Sequence, residues 1–491
     1  FQNLKHSAIP SLFTRHSLFQ ITQKSPFSSF SPDLRFQFLL YLDPTPRFRD
    51  LLFTNKRKKK QMDSLPDALL QYILSNMTAA KDVAACNCVS NRWKESTDSV
   101  QKITFLRNSF DSIISKTDDD DDDTISKTVE SDTIVRKMIS SFRRLEELVV
   151  YSPFSSCGLA SWMTQVGSSL KLLELRMDNL ASEDAIVEGP LKLDCVGVAK
   201  NLETLRLWGV LMMSPPKWDM FPNLRCLEIV GARTDDATLC HALRACPNLS
   251  NLLLLACEGV KSISIDLPYL EHCKLDFYGP GNSVLVLTSP RLLPLDVQGC
   301  SFIRVPETRF LKTLSISNIA GRVYMVDFHN LSSLEDLSIR GIQWCWDALC
   351  IMLQQARDVK RLFMKVEFTG NESLQPFPEI DFVEFFNNHP KLQTFDIHGA
   401  MFAALCQKNS LKKLETGFAI PCLEEVTITV RSPLNAEQKM NTLESLVRYA
   451  RVLKRMVIRI LRMKSNHSSA DDFCDDICKF RYMHQHLVKI E

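Results

Sequence analysis

Long hydrophobic runs are missing from this 491-residue chain. No stretch approaches 18 uninterrupted apolar residues, which excludes a membrane-spanning helix. Glycine is scarce, at 15 residues, and that argues against collagenous or flexible low-complexity architecture. There is also no excess of one charge: 59 basic residues face 57 acidic ones. The balance is uneven, because residues 1 to 61 hold 11 Lys/Arg against 3 Asp/Glu while the rest hold 48 against 54. A mildly acidic body offers no broad electrostatic footprint for nucleic acid. Catalytic signatures are absent too: no Walker loop, dinucleotide fingerprint, G-x-S-x-G elbow or H-E-x-x-H is found, and the ten histidines are scattered. An enzyme reading therefore has little to stand on, and no cofactor is implied.

What is present is cysteine and length. Sixteen cysteines run from Cys86 to Cys478 without the tight spacing of a disulfide framework, and no secretory signal opens the chain. Reduced, mostly buried thiols in a cytoplasmic or nuclear protein are expected. Cys474, Cys478, His484 and His486 cluster near the end, but their spacing fits no common zinc pattern and no metal is assigned. A chain this long exceeds one ordinary globular core, so several domains or a repeat array are expected.

Residues 1 to 61 are rich in Phe, Ser and Arg, poor in acids, and show no sustained amphipathic period. They are read as a non-native or disordered extension, since the chain begins with Phe1 and Met62 directly precedes the first patterned helix. Their composition also resembles an organelle transit peptide, and the run Lys56-Arg57-Lys58-Lys59-Lys60 fits a nuclear localisation signal, although such runs are more often solvated charge.

Order begins at residue 64. Pro66 suits a first helical turn, where its missing N–H costs nothing, and Asp67 complements the positive helix end. Leu65, Leu69, Ile73 and Met77 fall four residues apart with Leu70 and Leu74 beside them, a wide apolar stripe. A second helix from about Lys81 puts Val83, Cys86, Val89 and Trp93 on one face. So few residues cannot bury that much apolar surface alone, and an aliphatic stripe with a Trp anchor is the material of a protein-binding hot spot.

The string LPDALLQYILSNMTAAKDVAACNCVSNRWKES resembles an F-box, with Leu-Pro, Ile-Leu-Ser, Lys-Asp and Val-Ser-x-Arg-Trp at matching spacing. Met77-Thr78 departs from the Leu-Pro commonest there. The resemblance implies docking on Skp1, the linker to cullin in SCF ubiquitin ligases. It implies Leu65, Pro66, Leu69, Ile73, Leu74, Val83, Val89 and Trp93 as contacts or supporting core. The alternative is a helical hairpin packed wholly on the rest of the chain.

The F-box is assigned to residues 62–105, and 106–140 are read as a linker carrying the acidic run Asp118 to Asp123. Residues 141–465 then repeat a hexamer thirteen times, among them LEELVV at 145, LETLRL at 202, LRCLEI at 224, LEDLSI at 334 and LKRMVI at 453. Most starts lie 19 to 25 residues apart, with longer steps near 170, 359, 392 and 423. This is the L-x-x-L-x-L period of leucine-rich repeats, and Cys257 and Cys300 stand at the ninth position, where the pattern wants Asn or Cys. The expected fold is α/β: a helical F-box, then a solenoid with a parallel sheet on its concave face and helices or turns, such as Thr238–Cys246 and Asp347–Ala356, on its convex face. Residues 466–491 are read as a tail or cap.

On each strand the residues between the leucines are expected to point into the concave face. Thr204, Arg206, Trp208, Glu228, Arg340 and His398 are the candidate target-binding residues, alongside Cys226, Val230, Ser315, Ser317, Ser338 and Asp396. Trp208, Trp344 and Trp346 are candidate anchors, with packing as the competing role for each. The whole resembles the plant F-box/LRR proteins and implies a substrate receptor of an SCF ligase. Its expected partners are Skp1, cullin through Skp1, and a target protein. A non-catalytic repeat scaffold with no role in ubiquitin transfer is the alternative.

Overall fold

All thirteen hexamers coincide with β-strands. The computed structural model describes residues 65–110, 123–151, 153–177, 193–367, 378–407, 417–461 and 468–491. The readings made for residues 1–61 lie outside them, as does the acidic run up to its last member, Asp123. Contacts divide the chain into two compact units, Phe1–Leu70 and Gln71–Glu491. Of the first unit only residues 65–70 are described, and they begin a helix.

Three short helices come first: α1 (Asp67–Asn76), α2 (Ala80–Asn87) and α3 (Asn91–Thr97). The Pro66 carbonyl accepts the first amides of α1, from Leu69 and Leu70, at 3.0 Å. In the second unit α2 buries Val83 and Cys86 and α3 buries Trp93 and Thr97. The Thr97 hydroxyl donates to Asn87 Oδ1 at 2.6 Å and ties α3 to α2. The Thr104 amide donates to the Thr78 carbonyl at 2.7 Å, which fastens the start of α2 to the first strand.

The sheet opens with β1 (Lys102–Phe105), before any of the leucine hexamers. The stretch read as a linker contains a 17-residue helix, α4 (Asp123–Ile139). It buries Ser131, Val135 and Ile139. Asp132 accepts the Ser155 hydroxyl at 2.5 Å and amide at 3.1 Å, while the buried Trp162 donates to the Asp132 carbonyl at 3.2 Å. The acidic run hid this helix, because the sequence reading stopped at the charge. Next come β2 (Glu147–Tyr151), α5 (Ser156–Val166), β3 (Leu172–Arg176), β4 (Thr204–Trp208), β5 (Leu211–Met212), β6 (Cys226–Val230), β7 (Arg233–Thr234) and α6 (Asp236–Arg244).

From there the chain alternates between two sheets: β8 (Asn251–Glu258), β9 (Ser262–Asp266), β10 (His272–Tyr278), β11 (Ser283–Thr288), β12 (Pro294–Gln298), β13 (Cys300–Val305), β14 (Thr313–Asn318), β15 (Met325–Phe328) and β16 (Asp336–Gly341). Even-numbered members extend the 17-stranded main sheet, and odd-numbered ones form a separate four-stranded parallel sheet. That second sheet replaces the expected helices, because its segments alternate strictly in burial over runs too short for a helix. Helices return with α7 (Trp346–Gln355), followed by β17 (Arg361–Val366), α8 (Phe382–Asn388), β18 (Thr394–His398), α9 (Gly399–Gln407), β19 (Glu425–Val430), α10 (Ala436–Tyr449) and β20 (Arg455–Ile460). The segment read as a tail or cap holds α11 (Ser468–Met483), which leads to β21 (Val488–Ile490), parallel to β20.

Most main strands bury alternate residues, and the buried row holds the leucines. Cys257 and Cys300 do turn inward, and burial pushes both thiols up to about 12. In the next repeat the fully buried Asn318 plays the same role. Its amide donates to the carbonyls of Gly281 and Cys300 at 2.7 and 3.0 Å, and its oxygen accepts the Gly321 amide at 2.9 Å.

After several strands the chain bends through positive φ at the eighth residue of the repeat, as at Gly209 (φ 67°) and Gly299 (φ 84°). A Cβ on Gly299 would stand 2.2 Å from the Phe277 carbonyl oxygen. The scarce glycines are thus spent at bends that need them. Ala256 occupies the equivalent position within β8 at φ 51°, a conformation that costs an L-residue about 1 kcal/mol. Because Ala256 is exposed, Ala256→Gly removes strain and little burial. It is expected to stabilise the chain by about 1 kcal/mol in denaturant unfolding; a loss of stability would contradict this reading of the bend.

Candidate functional site

Two surfaces carry groups that packing does not consume. The first lies on the helices at the amino-terminal end. In the first unit Pro66 is exposed, Leu65 is half-buried, and Leu69 is 37% exposed. In the second unit Tyr72 is 44% exposed and Ile73 and Val89 are half-buried, while Leu74, Val83 and Trp93 are buried. The sequence-predicted set thus splits into residues that present apolar surface and residues that support it. Trp93, expected as an anchor, belongs to the supporting group. Its indole N–H has no hydrogen-bond partner among the described residues.

The second surface is the outward face of the main sheet. Parallel register places outward residues of neighbouring strands side by side, about 4.8 Å apart. On β3, β4 and β6 this aligns Glu174, Arg206 and Glu228 in one row and Arg176, Trp208 and Val230 in the next. Glu174 is only 5% exposed and pairs with Arg176 and, at 3.4 Å, with Arg206. Arg206 also reaches Glu228 at 3.2 Å. Burial works against charge on Arg206, but Glu228 and Glu174 outweigh it and hold the guanidinium above its ordinary pKa. Arg176 is sandwiched between two rings, 4.0 Å from the Trp208 centroid and 4.8 Å from that of Tyr151. This end of the face is aromatic and close to neutral.

Further along, Arg340 on β16, Lys365 on β17, and His398 and Asp396 on β18 occupy the same face. The Arg340 guanidinium lies 4.7 Å over the Phe363 ring, and Phe363 packs at 5.2 Å against His398, whose Nε2 is 3.1 Å from Asp396 Oδ1. Among the described residues no three His, Cys, Asp or Glu side chains converge as a metal site.

No protein-family model matches the chain. Over 430 residues, 88% of its length, the chain is 83% identical to an F-box protein of Arabidopsis thaliana and spans the whole of that relative. The chain belongs to the F-box protein family. Two further Arabidopsis thaliana proteins resemble about half of it. One is a putative FBD-associated F-box protein, 26% identical over 256 residues (49% of this chain, 56% of that protein). The other is an F-box/FBD/LRR-repeat protein, 24% identical over 280 residues (55% and 60%).

The six candidate recognition residues of this F-box protein all lie on the outward face, in two groups. Thr204, Arg206, Trp208 and Glu228 share β4 and β6, and Arg340 and His398 stand on β16 and β18. Trp344 is not an anchor: it is 3% exposed and donates its indole N–H to the Arg340 carbonyl at 3.1 Å. Trp346 is half-buried at the start of α7. Sequence reasoning missed Tyr151, Glu174, Arg176, Phe363 and Lys365. The signal for each is its place as an outward residue of a hexamer repeat.

Glu174 is the keystone of the first group because two cations depend on it. Glu174→Ala is expected to cost about 1–3 kcal/mol in denaturant unfolding, since partly buried Arg176 and Arg206 lose a shared partner. Glu228→Ala is expected to cost less, because Arg206 keeps Glu174. The reverse order would contradict the assignment.

Proposed function

We propose that this F-box protein is the substrate-recognition subunit of an SCF-type ubiquitin ligase, working in the cytoplasm or nucleus. Its amino-terminal helices dock on Skp1, and through it on cullin, while the outward face of the sheet holds a target protein. The observation that carries the reading is the full-length match to an F-box protein combined with the exposure of Leu69 and Tyr72. Leucine and tyrosine left in water are what a docking partner would cover, at roughly 1.5–3 kcal/mol for each large apolar side chain fully buried.

The chain acts here as an adaptor and performs no bond chemistry. Its contribution is proximity: holding a target beside the ubiquitin-loaded enzyme raises the effective concentration of the reacting groups. The roles divide by burial. Leu65, Pro66, Leu69, Tyr72, Ile73 and Val89 make the docking contacts, and Leu74, Val83 and Trp93 hold the helices that present them.

The test is affinity capture of purified Skp1 by variants of the full chain. Leu69→Ala with Tyr72→Ala is expected to weaken capture at least tenfold without lowering the melting temperature, since both side chains are exposed. Trp93→Ala is expected to lower the melting temperature, because it empties a buried site. Undiminished capture by the folded Leu69→Ala, Tyr72→Ala variant would overturn the docking assignment.

A further inference from the structure

Charge on the outward face is compensated strand by strand almost everywhere. Arg206 sits between two glutamates, Lys274 reaches Asp296 at 3.2 Å, Arg361 pairs with Asp336, and Arg459 meets Glu491 at 3.0 Å. Arg340 and Lys365 break this pattern. They are direct register partners on β16 and β17, both are exposed, and neither has an ion-pair partner among the described residues. Like charges directly opposite one another on neighbouring strands are destabilising, so this arrangement carries a cost in the free chain.

The surroundings hold the pair ready for a ligand. Arg340 is steadied twice: its guanidinium rests over the Phe363 ring, and its carbonyl takes the Trp344 indole N–H. Beside it the Ser338 hydroxyl is buried and has no hydrogen-bond partner among the described residues. Two strands beyond Lys365, in the row that runs through His398, the Thr429 hydroxyl is likewise without a partner, on a residue only 2% exposed. The Ser338 hydroxyl can donate, and the Arg340 and Lys365 cations lack an anion, so an acceptor that carries negative charge would serve both.

We infer that the β16–β19 stretch of the sheet face binds an acidic peptide segment of the target, one anionic group lying between Arg340 and Lys365. This rests on the substrate-receptor reading and adds to it the chemical class of what is recognised. The anionic group is a carboxylate or a phosphate; both offer the oxygens that an Arg–Lys pair takes up. The first group of face residues does not compete for this role, because the Arg176 and Arg206 charges are already taken by Glu174 and Glu228.

The experiment uses the full chain and three fluorescein-labelled decapeptides. They share one sequence except at three adjacent positions, which hold Asp, phosphoserine or Ser. Fluorescence anisotropy is expected to show at least tenfold tighter binding of an anionic peptide than of the Ser peptide, weakening as salt is raised. The stronger of the Asp and phosphoserine arms identifies the source of the charge. Arg340→Glu and Lys365→Glu are each expected to reduce that binding at least tenfold, and Lys274→Glu to leave it unchanged. Folding is checked independently: the carboxylate introduced by Arg340→Glu would face Lys365, so the melting temperature is expected not to fall. No preference among the three peptides, or undiminished binding by both variants, would overturn the inference. Skp1 capture run on the same samples separates the two readings, since wild-type chain that captures Skp1 but shows no anionic preference fails on this point alone.

Discussion

A single file of backbone hydrogen bonds holds the repeats in step. The second residue of each hexamer donates its amide to the carbonyl of the second residue one repeat earlier, from Glu146 and Lys171 through Arg225, Glu271, Lys312 and Lys360 to Lys454. The file begins at Gln101, and every bond in it measures 2.7 to 2.9 Å. It fixes the register of the parallel strands, and a slip of one residue would turn the leucine rows outward. The side chains of the same positions reinforce it. Glu146 pairs with Lys171, Glu335 with Lys360 and Glu424 with Lys454, at 2.8, 3.0 and 2.7 Å. The hydrogen bond from Lys171 holds the Glu146 carboxyl below its ordinary pKa, and Lys360 does the same for Glu335.

The α2–α3 pair and the candidate recognition rows both depend on that file. Because its first acceptor is Gln101, the residue before β1, the α2–α3 pair is fastened to the same hydrogen-bonded sheet that carries the outward rows. The face residues inherit their spacing from it: Glu174 meets Arg206, and Arg340 meets Lys365, only because the strands are in exact register. A parallel array cannot choose which residue faces its neighbour independently at each strand, so compensation and its failure are both consequences of one alignment.

Much of this was legible in the sequence. The leucine spacing located the strands from β2 to β20 that carry hexamers, since a buried row of period two has few other solutions. The Leu-Pro and Arg-Trp landmarks located the amino-terminal helices. Other features were hidden for physical reasons. β1 and β21 bracket the array and bury one strand edge fewer, so Lys102–Phe105 and Val488–Ile490 carry no leucine hexamer. The second sheet, β9 to β15, is written in short Ser, Val and Ile alternations that a search for leucines passes over. Burial is a property of the assembled chain, and so Trp93 and Trp344 looked like anchors until their surroundings were known. The unpaired state of Arg340 and Lys365 was equally invisible, because it follows from which strand lies beside which.

The account's central proposal is that docking and target recognition use separate surfaces of the chain. Hydrogen exchange measured on the full chain with and without Skp1 tests it most directly. Slower exchange confined to the amides of residues 65–97, with β16 to β19 unchanged, is the predicted result. Unchanged exchange across 65–97, or a Skp1-dependent change in β16 to β19, would contradict it.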